Sequence, residues 1–280
     1  MDSKFSCCTF IKNSFDIDVE MELWIRHHAS LFDEVVVADT GSTDGTIALL
    51  KKLADEIDNL KVINQEIKDD GNNKWYRDCK KVAIDNATHD AIIFLDADEY
   101  LHETFVPKVY EYIEKWNNGT KLNGALTYRQ FVGNLFTEAQ GWNYTWQVRI
   151  FRKDISYKIS VDGANFVNAG YTPFDRPQIV LYHYGYVKNR KKQSKKGSIQ
   201  HLRHNDHTSV KDVNDRDIET FDEYHPFSIM MDSNIIKQID GFPSIVAKNP
   251  DAFYRYKVSD GDDKLLKYYK ERRWLLYGEH

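Results

Sequence analysis

The sequence predicts an α/β fold: a largely parallel central sheet with helices on both faces, followed by a smaller β-rich part and a helical C-terminal extension. Three observations predict it. Short continuous apolar runs alternate with stretches whose apolar residues recur at helical spacing. The second and fourth of these runs pass directly into acidic loops, at Asp39 and Asp96. Beyond Leu101 the pattern changes, and aromatic-rich strands replace the alternation. A chain of 280 residues with 41% hydrophobic, 29% charged and 14% aromatic residues is long enough and apolar enough to bury a full core.

The elements follow in order. Phe5 to Ile11 reads as a strand, and Val19, Leu23, Trp24 and His27 then recur on one helical face. Val35 to Ala38 is a second strand, closed by Asp39-Thr40-Gly41-Ser42-Thr43-Asp44-Gly45. Ile47, Leu49, Leu50 and Leu53 mark a helix, and Leu60 to Ile63 a third strand. Trp75, Cys79, Val82 and Ala83 mark another helix, and Ala91 to Leu95 a buried strand entering Asp96-Ala97-Asp98-Glu99. Strands at Tyr128 to Phe131, Val148 to Phe151 and Ile179 to Tyr184 form the β-rich part, and Lys264 to Leu276 has the pattern of an amphipathic helix. The division this suggests is 1–125, 126–205 and 206–280.

Charge and cysteine content exclude several classes. Thirty-eight basic against 43 acidic residues, a net charge of -5, argue against wholesale polyanion binding. One segment departs from this: Lys188 to His204 holds seven Lys or Arg and no acid. Three cysteines, Cys7, Cys8 and Cys79, give no C-x-x-C spacing, so neither a disulfide framework nor a zinc finger is expected. No apolar run approaches the roughly 20 residues of a membrane span, and Met1 to Phe15 lacks the apolar stretch of a secretory signal. The expected compartment is the cytoplasm.

In sheets of this kind ligands bind beyond the carboxyl ends of the strands, where both acidic loops fall. In the first loop Gly41 and Gly45 permit a sharp turn, and Thr43 or Asp44 can cap the next helix. Capping leaves Asp39 unexplained. The loop lacks the G-x-G-x-x-G and G-K-[ST] spacings of dinucleotide and phosphate loops. In the second loop Asp96 and Asp98, two residues apart in extended chain, fall on the same side. Their mutual repulsion then calls for a cation or hydrogen-bond donors, and oxygen ligands of this type suit Mg²⁺ or Mn²⁺. Taken singly, each loop is also compatible with an ordinary turn or a solvated acidic loop.

Together these motifs resemble family 2 glycosyltransferases of the GT-A fold. Lys12-Asn13, Asp39 to Thr46, Arg77-Asp78 and Phe94-Leu95-Asp96-Ala97-Asp98-Glu99 match, in order and spacing, the branch reading "KNE", "DTGSTDGT", "RN" and "LDADE" over about the first 100 residues. Arg149-Ile150-Phe151-Arg152 resembles its "RLFR", and His183-Tyr184-Gly185-Tyr186 its "H-x-GY". Ser14, Asp78 and Val161-Asp162-Gly163 depart from the branch, which there has Glu, Asn and Val-His-Glu.

The resemblance implies inverting, metal-dependent transfer of a sugar from a nucleotide-diphosphate donor, a UDP-sugar, to an acceptor nucleophile. It implies that Thr9 and Asp39 hold the base, that Arg77 lies along the nucleotide, and that Asp96 approaches the ribose. Asp98, with His183, would ligate Mn²⁺ or Mg²⁺, unless His183 contacts phosphate directly. Lys188 and Lys192 would belong to a basic lid over the phosphates. Asp162 is the expected general base, with Glu99 as its substitute. The acceptor stays open among saccharide, peptide, lipid-linked sugar and modified nucleobase. Two other readings are a sugar-phosphate nucleotidyltransferase, against which the absence of glycine from Phe5 to Phe15 counts, and a non-catalytic polyanion-binding protein.

Overall fold

The computed structural model of the protein describes residues 3–69, 74–139, 146–160, 163, 165–175, 179–189, 192, 235–237, 241–255 and 267. Its first part alternates as the sequence predicts: β1 Phe5–Ile11, α1 Met21–Ala29, β2 Glu34–Asp39, α2 Thr46–Glu56, β3 Leu60–Asn64, α3 Lys74–Asn86 and β4 Ala91–Phe94. These strands pair in parallel in the order β3-β2-β1-β4.

Because side chains alternate across a strand, each apolar run supplies both faces of the sheet. Cys7, Val35, Val37 and Ile93 pack with Trp24 and Ile25 of α1 and with Leu50 and Leu53 of α2. Cys8, Val36, Ala38, Ile92 and Phe94 pack on the other face with Val82, Ala83 and Ile84 of α3. Leu50 has no exposed surface, and cutting it to Ala would cost about 2–5 kcal/mol. Neither expected residue is the N-cap of α2: that position is Gly45, with no side-chain cap bond, while Asp44 just before it accepts at Oδ1 from Thr46 N at 3.1 Å and from Thr46 Oγ1 at 2.6 Å.

The chain then continues through β5 Glu99–Leu101, α4 Val106–Asn117, β6 Leu122–Val132, β7 Thr137–Ala139 and β8 Trp146–Arg152. β9 Tyr157–Ile159, β10 Phe166–Asn168, β11 Thr172–Asp175, β12 Val180–Tyr186, β13 Ile235–Lys237 and α5 Ser244–Lys248 follow. Among the described residues the main sheet counts 11 strands, with β9 and β10 forming a separate hairpin. β8 joins antiparallel to both β4 and β6, carrying the sheet from its parallel part into its β-rich part. β12 runs parallel to β6 and antiparallel to β5, which sets His183 opposite both Gln130 and Glu99.

The expected strand at Tyr128 to Phe131 is the second half of the longer β6, and the expected boundary at 125/126 falls inside it. The sequence reading did not predict α4, although Val109, Tyr112, Ile113 and Trp116 bury one helical face. The expected helix at 264–276 lies outside the described residues, apart from Lys267. Trp142 and Tyr144 also lie outside them, while Trp146 opens β8. Among the described residues no helix is long and apolar enough to cross a membrane.

Candidate active site

The chain winds outward from β1 through β2 to β3 and then returns to β4 on the other side of β1. Such a reversal opens a crevice at the carboxyl ends of the strands. Two loops there are stitched together. Asn13 N donates to Ser42 Oγ at 2.7 Å, Thr43 N to Asn13 Oδ1 at 2.7 Å, and Ser14 N to Thr46 Oγ1 at 2.8 Å. Gly41, at φ 105°, serves this turn; a Cβ there would also lie 3.0 Å from Glu66 Cγ.

Asp39 ends β2 and is 1% exposed. Its Oδ1 accepts from Gly41 N at 3.0 Å and Ser42 N at 2.9 Å, whereas Oδ2 is buried with no partner. A buried acceptor left unsatisfied costs about 1–3 kcal/mol, which makes this oxygen a candidate to accept from a donor outside the protein. Thr9 is buried within β1, paired with Val37, its Oγ1 turned to the Phe10 carbonyl at 3.5 Å. Arg77 on α3 donates to its neighbour Asp78 at 2.9 Å, so the residue that departs from the family pattern holds the guanidinium.

The segment after β4 is a turn rather than extended chain: Glu99 N donates to the Asp96 carbonyl at 2.9 Å. Asp96 and Asp98 therefore diverge, in contrast to the common side that extended spacing predicts. Asp96 faces Lys80 Nζ at 2.6 Å and Arg149 at 2.7 Å. Burial opposes its charge, but the pull of Lys80 and then Arg149 prevails and holds the carboxyl down at about 2.

Glu99, 2% exposed, is bound at both oxygens. Oε1 accepts from Tyr128 OH at 2.8 Å and Arg149 at 2.7 Å, and Oε2 accepts from Asp96 N at 2.8 Å. Burial raises its pKa against the lowering influence of Arg149. Arg149, 1% exposed, also donates to Tyr128 at 2.7 Å; burial works against its charge, but Glu99, Tyr128 and Asp96 outweigh it. Burial lowers the Lys80 pKa, which Asp96 opposes, and its ammonium lies 4.8 Å from the Phe94 ring centre.

Asp98 turns the other way. Its Oδ1 lies 3.4 Å from His183 Nε2, and His183 Nδ1 is hydrogen-bonded to Gln130 Oε1. Gly185 keeps the adjoining space open: a Cβ there would fall 2.3 Å from His183 Nε2 and 2.8 Å from Asp98 Oδ2. No cluster of three or more metal-ligating side chains occurs among the described residues, so a cation beside Asp98 and His183 would take its remaining ligands from substrate and water.

Two of the basic residues are drawn to the loop after β1. Lys188, 1% exposed, donates to the Ile17 carbonyl at 2.6 Å, and Lys192 donates to the Phe15 carbonyl at 2.9 Å and Asp18 Oδ1 at 2.8 Å. Asp162 lies outside the described residues; its neighbour Gly163 rests against Tyr76 and Lys80. A cavity of about 290 Å³ bordered by Glu34, Lys61 and His89 opens at the amino ends of the strands, away from these groups.

Lys80 and Gln130 are site residues that the sequence reading missed, and Arg149 was read only as part of a strand. One signal marks all three: a charged or amide side chain inside an apolar pattern, Lys80 between Cys79 and Val82, Arg149 between Val148 and Ile150, Gln130 before Phe131. Such residues are seldom buried without a partner.

A largely parallel sheet whose carboxyl edge carries a buried carboxylate oxygen without a partner, with an Asp–His pair nearby, defines an α/β protein with a candidate ligand site at that edge. Residues 25–171 match Glycosyl transferase family 2, and the chain belongs to that family; it is a glycosyltransferase. No curated protein matches it. Among solved structures it is similar to residues 1–349 of TarS from S. aureus, at 16% identity over 98% of this chain and 78% of that one, TM-score 0.39. The same fragment in complex with UDP gives 16% identity over 97% and 78%, TM-score 0.41. Glucosyl-3-phosphoglycerate synthase from Mycobacterium tuberculosis, in complex with Mn²⁺ and UDP-glucose, gives 18% identity over 45% and 43%, TM-score 0.31. The family assignment rests on the match over residues 25–171.

Proposed function

We propose that the chain transfers a sugar from a UDP-sugar to an acceptor nucleophile, with inversion, and that Asp98 and His183 hold the divalent cation, Mn²⁺ or Mg²⁺, on which this depends. The observation that carries the reading is one edge of one sheet bearing two complementary features. These are the unpartnered Asp39 Oδ2 and the Asp98–His183 pair with the space beside Gly185.

In this reading Asp39 Oδ2 accepts the N–H of the uracil ring, with Thr9 behind it and Arg77 alongside the nucleotide. Asp96 reaches the ribose while Lys80 and Arg149 keep it ionised. The oxygen and imidazole donors of Asp98 and His183 suit Mn²⁺ or Mg²⁺, which when bound neutralises charge on the leaving diphosphate. Lys188 and Lys192 fix the end of β12 over the loop after β1 and so border the phosphate side. Inversion requires a base within hydrogen-bond reach of the acceptor, and we assign it to Asp162. Glu99, with both oxygens committed, is a positioning residue for the turn.

The test is a screen of sugar nucleotides for transfer to water or added acceptors, with and without Mn²⁺. One UDP-sugar should be turned over by wild type, and both Asp39→Asn and Asp98→Ala should reduce that activity at least 100-fold. Turnover unaffected by either substitution would refute the assignment.

A further inference from the structure

Parallel pairing of β6 with β12 places Gln130 directly opposite His183, and the two are 3% and 5% exposed. The edges of two aromatic rings hold the imidazole plane, Tyr128 at 6.1 Å and 81° and Tyr186 at 5.4 Å and 86°. Water has little access to average its two tautomers. Its nitrogens meet two oxygens: Nδ1 is hydrogen-bonded to Gln130 Oε1, and Nε2 lies 3.4 Å from Asp98 Oδ1. A neutral imidazole carries one N–H and can satisfy only one of them.

We propose that Gln130 is a positioning residue that fixes His183 as the Nδ1–H tautomer, so that the bare Nε2 faces Asp98. Bond counting alone does not orient the amide. Gln130 Nε2 is buried without a partner, and a reversed amide would leave its oxygen in the same state. The other contact decides. An Nε2–H pointed at a carboxylate makes a charge-assisted bond of about 2.7–2.9 Å, and the 3.4 Å separation is longer than that. A lone pair facing a carboxylate across the space Gly185 leaves open is instead a donor pair for a cation. The two tautomers imply different chemistry: a bare Nε2 ligates a cation, and an Nε2–H donates to phosphate. Gln130 selects the first, as outer partners of metal-bound histidines do. This inference rests on the proposed cation site.

The test begins with the full-length protein, ¹⁵N-labelled at histidine, at pH 8 and free of metal, with the His183 signals assigned by their loss in His183→Gln. Long-range ¹⁵N correlation should show Nδ1 protonated and Nε2 unprotonated; the reverse overturns the proposal. In Gln130→Leu the two forms should mix, and Mn²⁺ affinity in the presence of UDP should fall about 10-fold or more, with metal-free UDP binding unchanged. An unchanged tautomer in that variant also overturns it. If Gln130→Leu does not fold, Gln130→Asn, which withdraws the amide by one methylene, gives the same comparison. Wild type that shows the expected tautomer yet binds no Mn²⁺ with UDP supports the role of Gln130 and removes the cation site instead.

Discussion

Arg149→Met tests the view that the acidic turn is held by buried charge. Arg149 is 1% exposed and Glu99 2%, so methionine fills most of the volume while withdrawing the cation. Asp96 retains Lys80 at 2.6 Å, whereas Glu99 keeps only the Tyr128 hydroxyl and the Asp96 amide. Breaking a buried pair by removing one partner costs about 3–5 kcal/mol. At roughly 2–4 °C per kcal/mol for a chain approaching this size, the melting temperature should fall by about 6–20 °C. The deficit should depend on pH with a definite sign. Burial already raises the Glu99 pKa, and Arg149 is the chief opposing influence. Without it the folded state takes up a proton more readily than the unfolded chain, so the variant should recover stability as pH falls from 7 toward 5. Arg149→Met/Glu99→Gln should recover most of the loss at pH 7. Urea denaturation at pH 5, 6 and 7 makes the comparison. A double variant as unstable as the single one, with a deficit that ignores pH, would mean that lost packing dominates and the charge argument is wrong.

Other consequences are as direct. Gly185→Ala should keep the fold but abolish calorimetric binding of Mn²⁺ with UDP, since its Cβ would fall 2.3 Å from His183 Nε2; unchanged affinity would place the cation elsewhere. Because the Asp96 pKa is depressed from 3.8 to about 2, its ionised form adds on the order of 2 kcal/mol of stability. That stability is present above about pH 4 and is lost as pH falls toward 2, so the urea-denaturation gap between wild type and Asp96→Asn should narrow over that window. Asp18 accepts from Lys192 at 2.8 Å and from Asn189 N at 3.1 Å, so Asp18→Ala should speed hydrogen exchange at the Asn189 amide several-fold while leaving the core amides of β1 unchanged.

The parallel half of the fold was legible because each of its strands is a run buried on both faces, and runs such as Val35 to Ala38 leave little choice of element. Asp39 was legible because a carboxylate closing such a run has no packing role. The geometry of Asp96 and Asp98 was not. They diverge at the turn closed by Glu99 N on the Asp96 carbonyl, whose carboxylates meet partners far off in sequence: Arg149, 50 residues from Glu99 and 53 from Asp96, and Lys80 on a helix that precedes them. Local spacing carries no trace of such distant partners. The short β5 is visible only once β12 is there to pair with it, and the Gln130–His183 contact likewise arises from strand pairing across 53 residues. In the basic segment, composition announced the charge but not that Lys188 would be buried against the Ile17 carbonyl.

The most direct measurement of the central claim is a crystal structure with Mn²⁺ and a UDP-sugar. The uracil N–H should lie on Asp39 Oδ2 and the ion between Asp98, His183 Nε2 and the diphosphate. A nucleotide bound away from Asp39, or an ion held without Asp98, would contradict it.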